Sequence, residues 1–476
     1  MGLLDVMAKI ADHIPTVEKP KTKPGLYERL LWTAIALIVY VIMANTPLFG
    51  IETRGGIQIL LVQIIFASNR GTLMELGIGP IVTAGLIMQI LVGAKLIDLD
   101  LSSPEDRKKF TAAQKTFALL LAVFQSTMYV VACNYWEITG PNPLLYCSAT
   151  LTQRLAVGIQ LFLATYFVIL LDEMIQKGWG LGSGVSLFIL AGVANTIIWN
   201  LLSPITYAGE PIGFIPYLIH TVAGRGDLSS ILIRSGGRDL AGLIATIAII
   251  LILVYLDGMR VQIPVTSPRL RSIKSRIPLK FLYVTNIPVL FVGIIYADVL
   301  VFASLTRTYL RGVVPGYLVD LLATYDENGR LIGGIAYYLA PPRSILASIQ
   351  DPLHALIHGI SVLVLATLFG ILWVEIAGLS ASAQAEELVK SGLDIPGVRR
   401  NPKILERILA KYIWPLTILS SLIVASIAVA ADLLGAYGTG TGLLLAIGIV
   451  QQYYMLIAYE RTLEAYPLLK RLVGER

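Results

Sequence analysis

The stretch Gly71–Gly93, GTLMELGIGPIVTAGLIMQILVG, and the short apolar run just before it, Ile57–Ser68, IQILLVQIIFAS, decide the architecture of this chain. A helix that crosses a bilayer needs about 20 predominantly apolar residues. Residues 76–94 supply that length without a charge and carry Gly77, Gly79, Pro80, Gly85 and Gly93. Residues 57–68 are equally apolar but far too short to cross. An apolar piece that does not span is tolerated at membrane depth only where protein or a water-filled cavity surrounds it. The pattern predicts a half-inserted helix beside a glycine-rich spanning helix, the arrangement of a pore with its own stopper.

The rest of the chain falls in the same class. Apolar residues make up 56% and charged residues 14%, with a mean hydropathy of +0.74, a balance outside that of soluble globular domains. Uncharged or nearly uncharged apolar windows of spanning length occur at about 30–50, 76–94, 112–132, 153–171, 184–202, 240–256, 281–303, 355–374, 412–431 and 441–459. The unbroken runs exclude a β-barrel, whose strands would alternate polar and apolar residues. The expectation is an all-α polytopic membrane protein with ten spans.

Lysine and arginine set the orientation. They concentrate before the first span (Lys9, Lys19, Lys21, Lys23), in residues 257–280 between the sixth and seventh, in residues 376–411 between the eighth and ninth, and in the tail. With ten spans all of these share one side with both termini, and the positive-inside rule makes that side cytoplasmic. Residues 1–25 lack the continuous apolar stretch of a signal peptide. Leu3, Leu4, Met7, Ile10, Ala11 and Ile14 instead recur at helical spacing, which predicts a surface-lying amphipathic helix ended by Pro15.

Residues 206–239, outward-facing and nearly charge-balanced, divide an N-terminal half (26–205) from a C-terminal half (240–460), with a tail at 461–476. Five spans per half is an odd number, so two repeats would be inverted relative to each other. No internal sequence match stands out to prove a repeat. The span interiors are almost free of charge, whereas ion-coupled transporters need ionisable groups there. Asp172, Glu173, Asp257, Glu375 and Asp432 cluster at span ends, and Asp298 lies late in the seventh span; all read as helix caps or headgroup residues. An ion-coupled secondary transporter, the alternative, accounts for ten spans but not for the missing coupling residues. The interior suits a passage indifferent to what moves through it.

Several segments carry a family resemblance. GTLMELGIGPIVTAGLIMQILVG, GLGSGVSLFILAGV (180–193), RVQIPV (260–265), FLYVTNIPV (281–289), IAYYL (335–339), DPLHALIH (351–358), LWVEIAGL (372–379) and GTGTGLLLAIGIV (438–450) closely resemble the SecY-type protein-translocation channel, in its archaeal and eukaryotic-like branch. The resemblance runs in order over nearly the whole chain. It implies two inverted five-helix halves around a central pore with a short plug half-helix, in the cytoplasmic membrane. It also implies a heterotrimer with two small single-span Sec subunits, docking of the ribosome through its rRNA, and passage of signal sequences and nascent polypeptides across the membrane or sideways into lipid. No catalytic residue, metal or cofactor is implied.

Carried over position by position, the resemblance gives a pore ring of Ile78, Val82, Val185, Ile189, Leu290 and Leu445. Aliphatic side chains would dewet such a neck against ions and offer no polar hold on a moving chain. The plug maps within about 57–70 to Leu60, Leu61, Val62, Gln63, Ile64, Ile65, Phe66, Ala67, Ser68, Asn69 and Arg70. A lateral gate between the second and seventh spans, flanked by the third and eighth, takes Thr83, Gln125 and Asn286 as its polar cluster. The family often has a carboxylate where this chain has Gln125. Ribosome contacts map to Arg260, Arg269, Arg271, Lys274, Arg399 and Arg400, because cationic side chains bind rRNA phosphate.

Other signals point to no site. His354 and His358 are one helical turn apart, yet no third ligand is fixed and Asp351-Pro352 reads as a helix start. The glycines at 180, 182 and 184 and at 438, 440 and 442 lack the strand and Lys-Ser/Thr of a nucleotide loop. They read as points of close helix approach. Cys133 and Cys147 both fall between the third and fourth spans, on the expected outer side, where a disulfide is chemically allowed.

Overall fold

The computed structural model describes the chain except for residues 1–6, 8, 12, 23, 52–70, 94–95, 98, 100–102, 132, 134, 137–147, 208–209, 226–227, 235–237, 268–269, 285–286, 310–314, 327–330, 343, 391–400 and 466–476. Ten long helices carry the fold: α1 Leu26–Asn45, α2 Gly79–Gly93, α3 Pro104–Val131, α4 Leu151–Met174, α5 Gly184–Leu202, α6 Leu240–Gly258, α7 Ile287–Tyr309, α8 Pro352–Ile376, α9 Pro402–Leu433 and α10 Gly440–Ala465. They fall on the ten apolar windows.

Two helices start eight residues or more before their windows. α3 starts at Pro104 and α9 at Pro402, because their first turns are polar helix that extends past the apolar layer. α2 falls short instead. Its 15 residues make about 22 Å of helix at 1.5 Å per residue, against about 30 Å of hydrocarbon. The non-helical segment Thr72–Ile78 enters it from one side. That segment is held in place by pairing: Pro47 bridges Thr72, the Leu48 amide donates to Gly71 O (2.9 Å), and the Leu73 amide donates to Thr46 O (3.0 Å). The loop containing the expected plug is therefore closed at its base, while residues 60–70 themselves lie outside the described residues.

Helix starts follow local chemistry. Thr150 and Gln153 form a capping box on α4, Asp239 caps α6, and Asp351 and Asn401 cap α8 and α9 just before Pro352 and Pro402. These side chains accept from amides that have no partner within the helix. Asp351 also accepts from Tyr337 Oη at 2.7 Å. The His354 amide first and the Tyr337 hydroxyl second hold its carboxyl below the usual carboxylate range, so it keeps its acceptor charge. The two histidines are structural bolts. His354 Nε2 meets Ala340 O at 2.8 Å and His358 Nδ1 meets Leu339 O at 3.1 Å, tying the Ile335–Leu339 turn to α8.

The two halves pack alike. In the first, α1 touches α4 and α5, α4 touches α5 and α3, and α3 touches α2. In the second, α6 touches α9 and α10, α9 touches α10 and α8, and α8 touches α7. The pattern repeats with a shift of five helices. A shared detail supports the equivalence: Asp172 at the end of α4 accepts from the Val185 amide opening α5 (3.0 Å), and Asp432 at the end of α9 accepts from the Gly440 amide opening α10 (2.7 Å). Each aspartate precedes a Gly-x-Gly-x-Gly run, residues 180–184 and 438–442. The internal match that does not stand out in the sequence is this short one. An odd repeat of spanning helices is an inverted repeat.

Between α6 and α7 an antiparallel hairpin, β1 Arg260–Ser267 and β2 Leu270–Lys280, pairs Arg260 with Lys280 through to Thr266 with Lys274. The expected basic loop is thus a β-ribbon, not an irregular connection. Cys133 is disulfide-bonded, and Cys147, the chain's other cysteine, lies outside the described residues.

Candidate functional site

The halves meet along two seams. At the rear, α10 packs on α5 and α1; at the front, α2 packs on α8 and α7. The rear seam is bonded. Arg29 Nη1 on α1 reaches Glu460 Oε1 on α10 at 2.6 Å with both side chains largely buried. The Leu26 amide donates to Glu464 Oε1 at 2.9 Å, and Tyr453 Oη donates to Ser183 O at 2.9 Å. The front seam is largely apolar, and a single hydrogen bond between side chains of α2 and α7 interrupts it among the described residues. Leu86 lies inside the apolar core of the second half and Val82, Ile87 and Ile90 pack against it, so α2 adheres to the opposite half by dispersion and burial.

That hydrogen bond is Thr83 Oγ1 donating to Asp298 Oδ2 at 3.4 Å. It corrects the reading of Asp298 as a capping or headgroup residue. The carboxylate belongs to the twelfth residue of α7, inside the bundle's seam. Of the other expected seam residues, Gln125 is half-buried on α3 and Asn286 lies outside the described residues. An aspartate sharing a seam with a threonine 215 positions away leaves no local signal in sequence, so residue type and spacing alone do not single it out.

The six expected ring positions fall in one apolar cluster. Ile78, Ile189 and Leu445 are among its buried members, and Val82, Val185 and Leu290 pack against it partly buried. Val82 and Leu290 also pack on the core of the second half, so they stand where the two cores meet. They come from the entry to α2 and from α2, α5, α7 and α10, two helices of each half. No ionisable or hydrogen-bonding side chain is among the six. Such a cluster has nothing with which to bind a solute or run a proton relay.

The basic elements lie at one end of the bundle. Arg260 is exposed at the base of the hairpin, its guanidinium returning to the carbonyls of Asp257 and Met259. Arg271 and Lys274 belong to β2. Arg269, Arg399 and Arg400 lie outside the described residues. Among the described residues no group of three or more His, Cys, Asp or Glu side chains could hold a metal ion.

A family model described as SecY matches residues 72–454. The chain belongs to the SecY family. A second model, the plug domain of Sec61p, matches residues 38–71, the end of α1 and the segment between it and Thr72. Curated SecY relatives include the protein translocase subunit SecY of Aeropyrum pernix, 49% identical over 100% of this chain and 99% of the relative. That of Saccharolobus solfataricus is 47% identical over the full length of both. Among solved structures, a protein-conducting channel superposes with TM-score 0.77 at 34% identity, covering 98% of each chain. Sec61 in the canine ribosome-channel complex from the endoplasmic reticulum superposes with TM-score 0.75 at 33% identity and the same coverage. As a SecY-family member the chain is a ten-helix membrane protein and a protein translocase subunit, a channel for polypeptides and not an enzyme. The ion-coupled transporter reading finds no support in these relatives.

Proposed function

We propose that the six ring residues form the neck through which secretory polypeptides cross, and that the front seam is the lateral gate through which membrane segments leave for lipid. The observation that carries the reading is the clustering of Ile78, Val82, Val185, Ile189, Leu290 and Leu445 from both halves into one apolar junction. The asymmetry of the seams supports the gate. Ion-paired and hydrogen-bonded contacts hold the rear, so relative motion of the halves opens the front. An apolar signal sequence entering there replaces contacts made by Val82, Leu86, Ile87 and Ile90 with contacts of the same kind. Residues 60–70 act as the plug, consistent with the plug-domain match over 38–71.

The chain sits in the cytoplasmic membrane with both termini and the hairpin facing the cytoplasm, as the lysine and arginine bias requires. It works with two small single-span Sec subunits. The hairpin and residues 391–400 dock the ribosome, a reading supported by the solved Sec61 channel in a ribosome complex. Energy comes from the docked ribosome or a separate motor.

The path is tested with a polypeptide arrested in transit that carries one cysteine. A cysteine placed at each of the six positions is expected to crosslink to it, and cysteines at the exposed positions Ile247 or Leu163 are not. Crosslinks from only one half would remove the neck from between the halves. Docking is tested by charge reversal. Arg269→Glu with Arg271→Glu, or Arg399→Glu with Arg400→Glu, is expected to weaken ribosome binding without disturbing insertion. The log–log salt slope should fall by about one for each rRNA phosphate that is no longer neutralised. Unchanged binding at moderate salt in both pairs would take these segments out of the interface.

A further inference from the structure

The front seam has a second feature besides the Thr83–Asp298 hydrogen bond. A Cβ built on Gly93 would lie 2.1 Å from Cγ1, 2.6 Å from Cδ1 and 3.4 Å from Cβ of Ile376. Gly93 is the last residue of α2 and Ile376 the last of α8. The contact therefore crosses the seam at its hairpin-bearing end, about 15 Å along α2 from Thr83 at 1.5 Å per residue. Approaches below 3.0 Å essentially never occur for real Cβ atoms, so alanine at position 93 requires Ile376 to leave the place it holds here.

The contact is made by the Ile376 side chain, and the helix ends that carry both residues are held in place. Ile376 is β-branched, and such side chains have one strongly preferred χ1 rotamer in a helix. The α8 end is fixed by the Leu379 amide donating to Val374 O at 3.0 Å and by Tyr283 Oη donating to Leu379 O at 2.6 Å. The α2 end is fixed by the Leu96 and Ile97 amides, which both donate to Leu91 O, at 3.0 and 3.2 Å. Helix termination does not itself require glycine here, because Gly93 is not among the glycines with positive φ. What requires it is the close approach of α8.

We propose that Gly93 is the seat on which Ile376 closes the cytoplasmic end of the lateral gate, so that the bulk at position 93 sets how apolar a signal sequence must be to open it. The proposal rests on reading the α2–α7/α8 seam as the gate. Any side chain at 93 separates α2 from α8 and brings the resting channel nearer its open state; a signal sequence then has less separation left to drive, and weaker signals suffice. Shortening Ile376 makes room again.

The test uses the full chain, co-expressed with its small partner subunits and reconstituted in vesicles. Two substrates are compared, one with an intact signal sequence and one whose signal core has leucines replaced by alanine. Gly93→Ala and Gly93→Leu are expected to raise transport of the weak-signal substrate about tenfold with the intact substrate little changed. They should also lower bismaleimide crosslinking between Ile90→Cys and Trp373→Cys, one turn before the seat on each helix. Adding Ile376→Ala to Gly93→Ala should restore both the original discrimination and the crosslink. If Gly93→Leu does not accumulate, the Gly93→Ala and Gly93→Ala/Ile376→Ala pair decides. Unchanged discrimination in Gly93→Ala, or no rescue by Ile376→Ala, overturns the seat. Crosslinking that does not fall when an intact signal engages the otherwise unaltered channel overturns the gate reading itself.

Discussion

Replacing Val82, Val185 and Leu290 together by serine is expected to make the resting channel leak ions. The three residues are partly buried around the apolar junction of the two halves, so the change wets the neck without emptying a core. Dewetting depends on an apolar lining, and three hydroxyls supply hydrogen bonds that hold water in the constriction. The measurement is single-channel conductance in planar bilayers without translocating substrate, where the unsubstituted channel should be silent and the variant frequently open. Serine at buried Ile78, Ile189 and Leu445 should leak too, but each loses about 2–5 kcal/mol of core packing, and fold and seal would fail together. Ile189→Leu is the control, because volume-conserving swaps usually cost less than about 1.5 kcal/mol. A silent Val82/Val185/Leu290 serine variant would mean that the seal lies elsewhere.

Thr83→Val and the double variant Thr83→Val/Asp298→Leu are expected to move the gate in opposite directions. The single change leaves the Asp298 carboxylate in the seam without the hydroxyl that reaches it at 3.4 Å. A hydrogen bond that long is a weak one, so the closed gate should lose about 1 kcal/mol, roughly a fivefold shift toward opening. The double change makes that level of the seam wholly apolar, and the closed gate should tighten. Translocation of substrates with marginal signal sequences would rise in the first variant and fall in the second. Unchanged translocation of marginal substrates in Thr83→Val would show that the Thr83–Asp298 hydrogen bond does not bear on gating.

The features legible in the chain are those written locally. Apolar windows give the ten helices, and the short run before Gly71 marks the plug-bearing loop that the plug-domain family matches. The helix start at Asp351-Pro352 follows from residue type alone. Pairings between distant segments are not legible. Nothing near Asp298 points to Thr83, and nothing near Gly93 points to Ile376, because these contacts exist only once two five-helix halves are apposed. The inverted repeat lies between these cases. Its sequence trace is an aspartate followed by alternating glycines, too short to stand out until Asp172 and Asp432 are seen capping equivalent helices.

The bridge between Pro47 and Thr72 has a kinetic consequence. A stopper joined to the wall at both ends does not diffuse away when a client displaces it. Its return is an intramolecular event, governed by an effective concentration in the millimolar range for short tethers and independent of how many channels a membrane holds. Resealing after each client then proceeds at a fixed first-order rate, and the ions that escape per passage are set by the length of chain between residues 47 and 72, not by any supply of free inhibitor.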